Sequence, residues 1–110
     1  IPTLKGILAD PVGSTIGGGE HSDYDIEGIG NDFIPATMDI SLMDEAIKVT
    51  DAEALQMVNA LAKNEGIIAG TSSGAAMAAS VKLAGKIERG NVVTIFPDRG
   101  DRYFSKHIYN

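Results

Sequence analysis

The sequence predicts an α/β fold, a mostly parallel sheet with flanking helices, on three observations. Short apolar runs alternate with longer stretches of helical spacing. The runs are bounded by Pro, Gly or Asn, as strands are. One of them, residues 92–96 (VVTIF), is the β-branched and aromatic block that a strand buried in a parallel sheet requires.

Taken in order, residues 4–9 (LKGILA) read as a strand whose end is set by Asp10-Pro11. Residues 12–33 are rich in Gly, Ser and Asp around Gly17-Gly18-Gly19 and show neither period, so they form a long loop. A loop of that length inside a compact domain is either a ligand-contacting segment or a flexible connector. Beyond Pro35, residues 41–46 read as a helical turn and residues 46–49 (AIKV) as a strand. Thr50 stands three positions before Glu53, the capping-box spacing that opens a helix. Ala52, Leu55, Val58, Leu61 and Ala62 are expected to form its buried face, and Gly66 its C-terminal cap.

Ile67-Ile68-Ala69 reads as a brief strand, Gly70 to Gly74 as a tight turn, and residues 75–87 as a helix ended by Gly90. The alanines at its start, Ala75, Ala76, Ala78 and Ala79, permit close approach to another backbone. Residues 101–108 form a last polar turn or helix. Three or four strands are few for a free-standing doubly wound domain, and the chain opens on Ile1-Pro2. Residues 1–110 are therefore expected to be part of a longer chain.

Composition narrows the function classes. With 44 % hydrophobic and 22 % charged residues the chain is not of a disordered type. A net charge of −6 and scattered Lys and Arg argue against sequence-independent nucleic-acid binding. The absence of cysteine excludes disulfides and thiolate metal sites, and His21 and His107 lie in no helical metal motif, so no metal is expected. No apolar run approaches the roughly 20 residues of a bilayer span, and the start lacks the pattern of a secretory signal. A cytoplasmic protein without membrane contact is expected.

The most informative cluster is Gly70-Thr71-Ser72-Ser73-Gly74, where glycines flank hydroxyl residues at a helix start. It fits an anion or cofactor site built from N–H groups and hydroxyls. It also matches G-x-S-x-G, and Asp98 or Asp101 followed by His107 reproduces the chain order of a serine hydrolase. Against that stands the small number of strands around the elbow. A plain serine N-cap explains one hydroxyl, not the whole run. A second candidate, Pro97-Asp98-Arg99-Gly100-Asp101-Arg102, follows a strand end, where open α/β sheets bind ligands, with Asp98 the favoured position. Its alternative is a solvated loop with exposed Asp–Arg pairs. A third, Glu27 to Pro35, joins flexible glycines to Phe33 and Ile34 and has the composition of a loop that closes over a substrate; a plain turn is the alternative.

The segments EGIGNDFIP, GTSSGAA and VVTIFPDRGDRYFSK, in this order, resemble the C-terminal portion of the cysteine synthase and cystathionine β-synthase family, pyridoxal-phosphate enzymes of the β-family with fold type II. The resemblance covers nearly the whole chain. The form DYDIEGIGNDFIP, with Pro97-Asp98 where many sulfhydrylases have Pro-Ser, is similar to bacterial cystathionine β-synthases that accept O-acetylserine. The resemblance implies that residues 1–110 are the C-terminal part of the cofactor-binding large domain. It implies that the Ser72 hydroxyl faces the pyridine nitrogen of pyridoxal phosphate, that Gly70 and Thr71 line the ring, and that Pro97 and Asp98 lie at the same ring edge. Gly28, Ile29 and Gly30 are implied to border the amino-acid substrate.

The implied reaction is β-replacement: serine or O-acetylserine loses its β-substituent and a thiol takes its place. Homocysteine then gives cystathionine and sulfide gives cysteine. The family's cofactor-bonded lysine and phosphate loop belong upstream of Ile1, so no catalytic residue is assigned here and the segment is expected to be inactive alone. Implied partners are the amino-acid and thiol substrates, the rest of the same chain and a second copy in a homodimer. Readings from other classes are the serine hydrolase above and a non-catalytic ligand-binding domain.

Overall fold

The computed structural model describes residues 3–101. Strands β1 (Ile7–Pro11) and β2 (Glu45–Val49) pair in parallel, with Ile7 opposite Glu45 and Pro11 opposite Val49. Helix α1 (Asp51–Ala60) follows β2 directly and runs on into a π-helical turn, Leu61–Glu65. Helix α2 (Thr71–Ala84) packs on α1 and on both strands.

Apolar burial holds these pieces together. Ile47 and Val49 from β2, Ala54 from α1 and Ala75, Ala78 and Ala79 from α2 form one buried cluster, with Ile26 delivered by the long loop. Two small-residue faces meet where the helices cross. Gly74 lies against the Ala54 carbonyl, and a β-carbon built on it stands 2.7 Å from Val58 Cγ2. That contact rotates α1 so that Ala54, Val58 and Leu61 are buried, in place of the expected face through Ala52, which is exposed.

The start of α1 is the expected capping box: Thr50 Oγ1 accepts from the Glu53 amide at 3.1 Å, and Glu53 accepts from the Thr50 amide at 3.0 Å. Lys82 on α2 lies 2.6 Å from the other Glu53 oxygen and donates to the Lys48 carbonyl at 2.9 Å, joining both helices to β2. The Lys82 ammonium, and after it the Thr50 amide, hold the Glu53 carboxyl below its ordinary pKa of 4.5. A carboxylate lowered by folding stabilises the protein above its unfolded pKa, and that contribution is lost as pH falls through the lower folded value. Urea midpoints are therefore expected to separate wild type from Glu53→Gln near neutral pH and to converge below about pH 4. A gap that persists undiminished into acid would contradict this coupling.

The structure corrects several expected elements. The first strand is Ile7–Pro11, not residues 4–9, because the ladder to β2 takes in Asp10 and Pro11. Pro11 is tolerated at a strand end, and Asp10 Oδ2 accepts from Lys48 and from the Gly17 amide. Residues 41–46 hold a 3-10 turn, Ile40–Leu42, before β2 begins at Glu45. The second helix takes in the GTSSG turn and ends at Gly85, so Thr71, Ser72, Ser73 and Gly74 lie inside α2.

Ile67-Ile68-Ala69 is no strand; it makes a single antiparallel bridge between Ala69 and Arg99. Residues 92–96 form no strand either, with Val93 87 % and Ile95 77 % exposed. A strand exists only through a neighbour's hydrogen bonds, and no described segment supplies one. Gly66 closes the first helix in the left-handed conformation, as expected (φ 68°). The expected element at 101–108 falls almost wholly outside the described residues.

Candidate functional site

The hydroxyl cluster sits at the beginning of α2. Thr71, Ser72 and Ser73 are all buried, with Ser72 5 % and Ser73 0 % exposed. Gly70, the N-cap, has no side chain to satisfy the first-turn N–H groups, which point out of the helix together with its positive dipole end. The Ser73 hydroxyl is buried without a hydrogen-bond partner among the described residues. The result is a small, polar, donor-rich site in an otherwise alanine-lined helix.

The long loop does not hang free. Its Asp25 amide lies 2.9 Å from each carboxylate oxygen of Asp51, the first residue of α1, and its Ile26 amide donates to Asp51 Oδ1 at 3.2 Å. The next amide, of Glu27, donates to Thr71 Oγ1 at 3.2 Å. Beyond the glycines, the Asn31 amide donates to the buried Ser14 hydroxyl at 2.9 Å and the Asn31 carbonyl accepts from the Thr15 amide at 2.8 Å. Gly28 and Gly30 take φ of +82° and +81°, which side chains rarely adopt, and Gly30 is pressed against Pro11 and Tyr24. Of the two readings of this loop, the flexible connector does not fit a segment fastened at these points, and Glu27, next to Gly28, is bonded to the first residue of α2.

The third segment meets the residues that lead into α2. The bridge between Ala69 and Arg99 is antiparallel, which sets Asp98 across from Gly70, and the Gly100 amide donates to the Ile68 carbonyl at 2.9 Å. Asp98 is half-buried there, while Pro97 is exposed. Arg99 and Asp101 form an exposed pair at 3.4 Å, the solvated ion pair considered from sequence. The structure therefore joins the loop that leads into Gly28 to Thr71 through the Glu27 amide, and sets Asp98 across from Gly70.

Residues 2–98 match the family described as pyridoxal-phosphate dependent enzyme. The chain belongs to this family. It is 48 % identical over 109 residues to the O-acetylserine dependent cystathionine beta-synthase of Bacillus subtilis, covering 98 % of this chain and 36 % of that protein. It is 44 % identical over 114 residues to a cysteine synthase of Helicobacter pylori strain J99, covering 100 % of this chain and 36 % of the relative. Its fold superposes on the crystal structure of O-acetylserine dependent cystathionine beta-synthase from Helicobacter pylori with a TM-score of 0.88 at 42 % identity, over 100 % of this chain and 36 % of that one. The chain thus spans about a third of the length of these relatives, at 36 %.

The residues present fit the family's cofactor. A pyridine ring offers one in-plane acceptor nitrogen and two apolar faces, and buried hydroxyls beside alanines and glycines match that demand. The uncapped start of α2 leaves its first N–H groups as the donors that such a polar group needs. The hydrolase reading fails here on geometry as well as on family. A nucleophile elbow presents its serine oxygen on a sharp exposed turn, whereas Ser72 lies within α2 and is 5 % exposed. His107, the base of that reading, lies outside the described residues.

Two site residues had escaped the sequence reading. Asp51 looks like an ordinary acid in the first turn of a helix, and Ser14 like any loop serine; no local pattern announces a bond to a segment 17 or 26 residues away. Among the described residues no helix is long and apolar enough to cross a membrane.

Proposed function

We propose that this chain is the C-terminal part of the large, cofactor-binding domain of a longer enzyme that carries out β-replacement on O-acetylserine or serine. The observation that supports it most is the buried, uncapped start of α2, tied by the Thr71–Glu27 bond to the loop of Gly28, Ile29 and Gly30. In this reading the Ser72 hydroxyl meets the pyridine nitrogen, Gly70 and Thr71 line the ring, Pro97 and Asp98 lie at its edge, and the glycine loop borders the amino-acid substrate. Pyridoxal phosphate, when bound, supplies the electron sink for the bond electrons left at the substrate Cα. Ser72, being neutral, leaves the ring nitrogen largely unprotonated, a setting suited to loss of the β-substituent rather than to deeper carbanion chemistry. The acceptor is a small thiol, homocysteine or sulfide. The same reading includes a cytoplasmic homodimer.

The exposed apolar surface supports the placement in a longer chain. Leu4, Val93 and Ile95 rim an open groove of about 1190 Å³ floored by Ile7, Ala76 and Leu83. That is the surface a further strand of the same domain covers, and it gives residues 92–96 the neighbour a strand requires.

The test uses the longer protein. Its visible spectrum is expected to show a bound-cofactor band that shifts on addition of O-acetylserine, with acetate released and a thioether formed when homocysteine follows. Ser72→Ala is expected to move that band and slow turnover about 10- to 100-fold, the scale of one buried hydrogen bond. A wild-type protein without a cofactor band, whose Ser72 reacts with a fluorophosphonate, would overturn the proposal.

A further inference from the structure

Gly28 and Gly30 have no side chains to hold their left-handed conformations, so beyond the packing of Ile29 the loop's position depends on what fastens its two ends. Downstream, Ser14 and Thr15 hold Asn31. Upstream, Asp51 receives both the Asp25 and the Ile26 amides, and Thr71 receives the Glu27 amide. Ile26 is buried in the core between these bonds, and Ile29 packs against the same cluster.

Asp51 is not needed to start α1, because Thr50 and Glu53 already form a complete capping box there. Its Oδ1 accepts from both the Asp25 and the Ile26 amides and its Oδ2 from the Asp25 amide, so one carboxylate fastens two successive amides of the loop. Charge-assisted bonds of this kind are about twice as strong as neutral ones. A hollow of about 320 Å³, with Ala54 and Leu55 among its walls, lies where Asp51, Thr71 and this segment meet.

We infer that Asp51 is a positioning residue for the amino-acid substrate: it fixes the Asp25 and Ile26 amides and so holds Gly28, Ile29 and Gly30 at the border of the site. Thr71 belongs to the same device, since its oxygen links the cofactor turn to this loop. The inference rests on the function proposed above.

The test compares Asp51→Ala and Asp51→Asn with wild type in the longer protein, by amide hydrogen exchange over residues 24–31 and by steady-state kinetics. Asp51→Ala is expected to exchange faster across that segment and to raise KM for O-acetylserine about tenfold, with kcat changed about threefold or less and the cofactor band intact. Asp51→Asn keeps one acceptor oxygen and the size of the side chain, and is expected to fall between the two. It also stands in should the alanine variant not fold. Unchanged exchange in both variants would overturn the inference, as would faster exchange with KM unmoved, which makes the contact structural only. A wild-type protein without β-replacement activity would instead defeat the proposed function, while the exchange data would still show whether Asp51 holds the loop.

Discussion

Gly74→Val is expected to destabilise the protein by about 3 kcal/mol or more. A β-carbon at this position runs into the Ala54 carbonyl and approaches within 2.7 Å of Val58 Cγ2. The first obstacle is backbone, which cannot swing aside as a side-chain tip can, so α1 must retreat as a body. Retreat opens the contact on which Ala75 and Ala78 depend, and it pulls Asp51 and the Thr50–Glu53 cap away from α2. Gly74→Ala is expected to be destabilising as well, by about 2 kcal/mol, although alanine favours a helix interior over glycine by about 0.5–1 kcal/mol. Gly85→Ala is the control: φ is −69° and the nearest atom to a new β-carbon is 3.5 Å away. It is expected to be neutral or to stabilise by about 0.5 kcal/mol. Urea unfolding of the three variants checks the ordering, and a Gly74→Ala protein as stable as wild type would show that the helices do not cross this closely.

Lys48→Met is expected to cost about 3 kcal/mol, because it leaves a buried carboxylate without its counter-charge. Asp10 is 1 % exposed; its Oδ2 takes Lys48 Nζ at 2.6 Å and the Gly17 amide at 3.0 Å, while its Oδ1 has no partner among the described residues. Lys48 is partly exposed, so water softens the loss without removing it. The double variant Asp10→Leu/Lys48→Met removes both charges and is expected to recover much of the lost stability, as buried pairs replaced by apolar groups commonly do. A double-mutant cycle that adds Asp10→Leu alone reads the coupling directly on urea midpoints; a double variant that costs the sum of the two single variants would show that the pair is inert. The same lysine donates to the Ser14 carbonyl at 2.8 Å, and Ser14 holds Asn31 at 2.9 Å. Its loss is therefore expected to loosen the downstream end of the glycine loop, faster amide exchange at Asn31 being the signature.

Legibility from sequence followed the range of the interaction. The Thr50–Glu53 capping box, the strand ahead of it and the Gly66 cap are local, so their residues lie next to one another in the chain and were read correctly. The three family segments were legible for the same reason, each being a short contiguous string. The end of α2 was misplaced because Gly85 and Gly90 offer the same local signal, and only the structure shows which one stops the helix. Residues 92–96 have every local property of a strand and still form none, because hydrogen bonding to a neighbour is not a property of the segment itself.

By itself, then, the sequence determined the α/β class and the family, and it singled out the hydroxyl and glycine residues proposed for the site, since each of these is carried by composition or by contiguous pattern. Only the tertiary structure decided which side chains hold those residues in place. Asp51 reaches Asp25, Thr71 reaches Glu27, Ser14 reaches Asn31, and Lys48 reaches Asp10 across 17 to 44 residues of chain. Such bonds form because β1, β2 and the two helices bury a common apolar cluster, which brings distant polar groups together. The hydrophobic drive behind that burial is non-directional, and so the partners it creates leave no spacing in the sequence to be read.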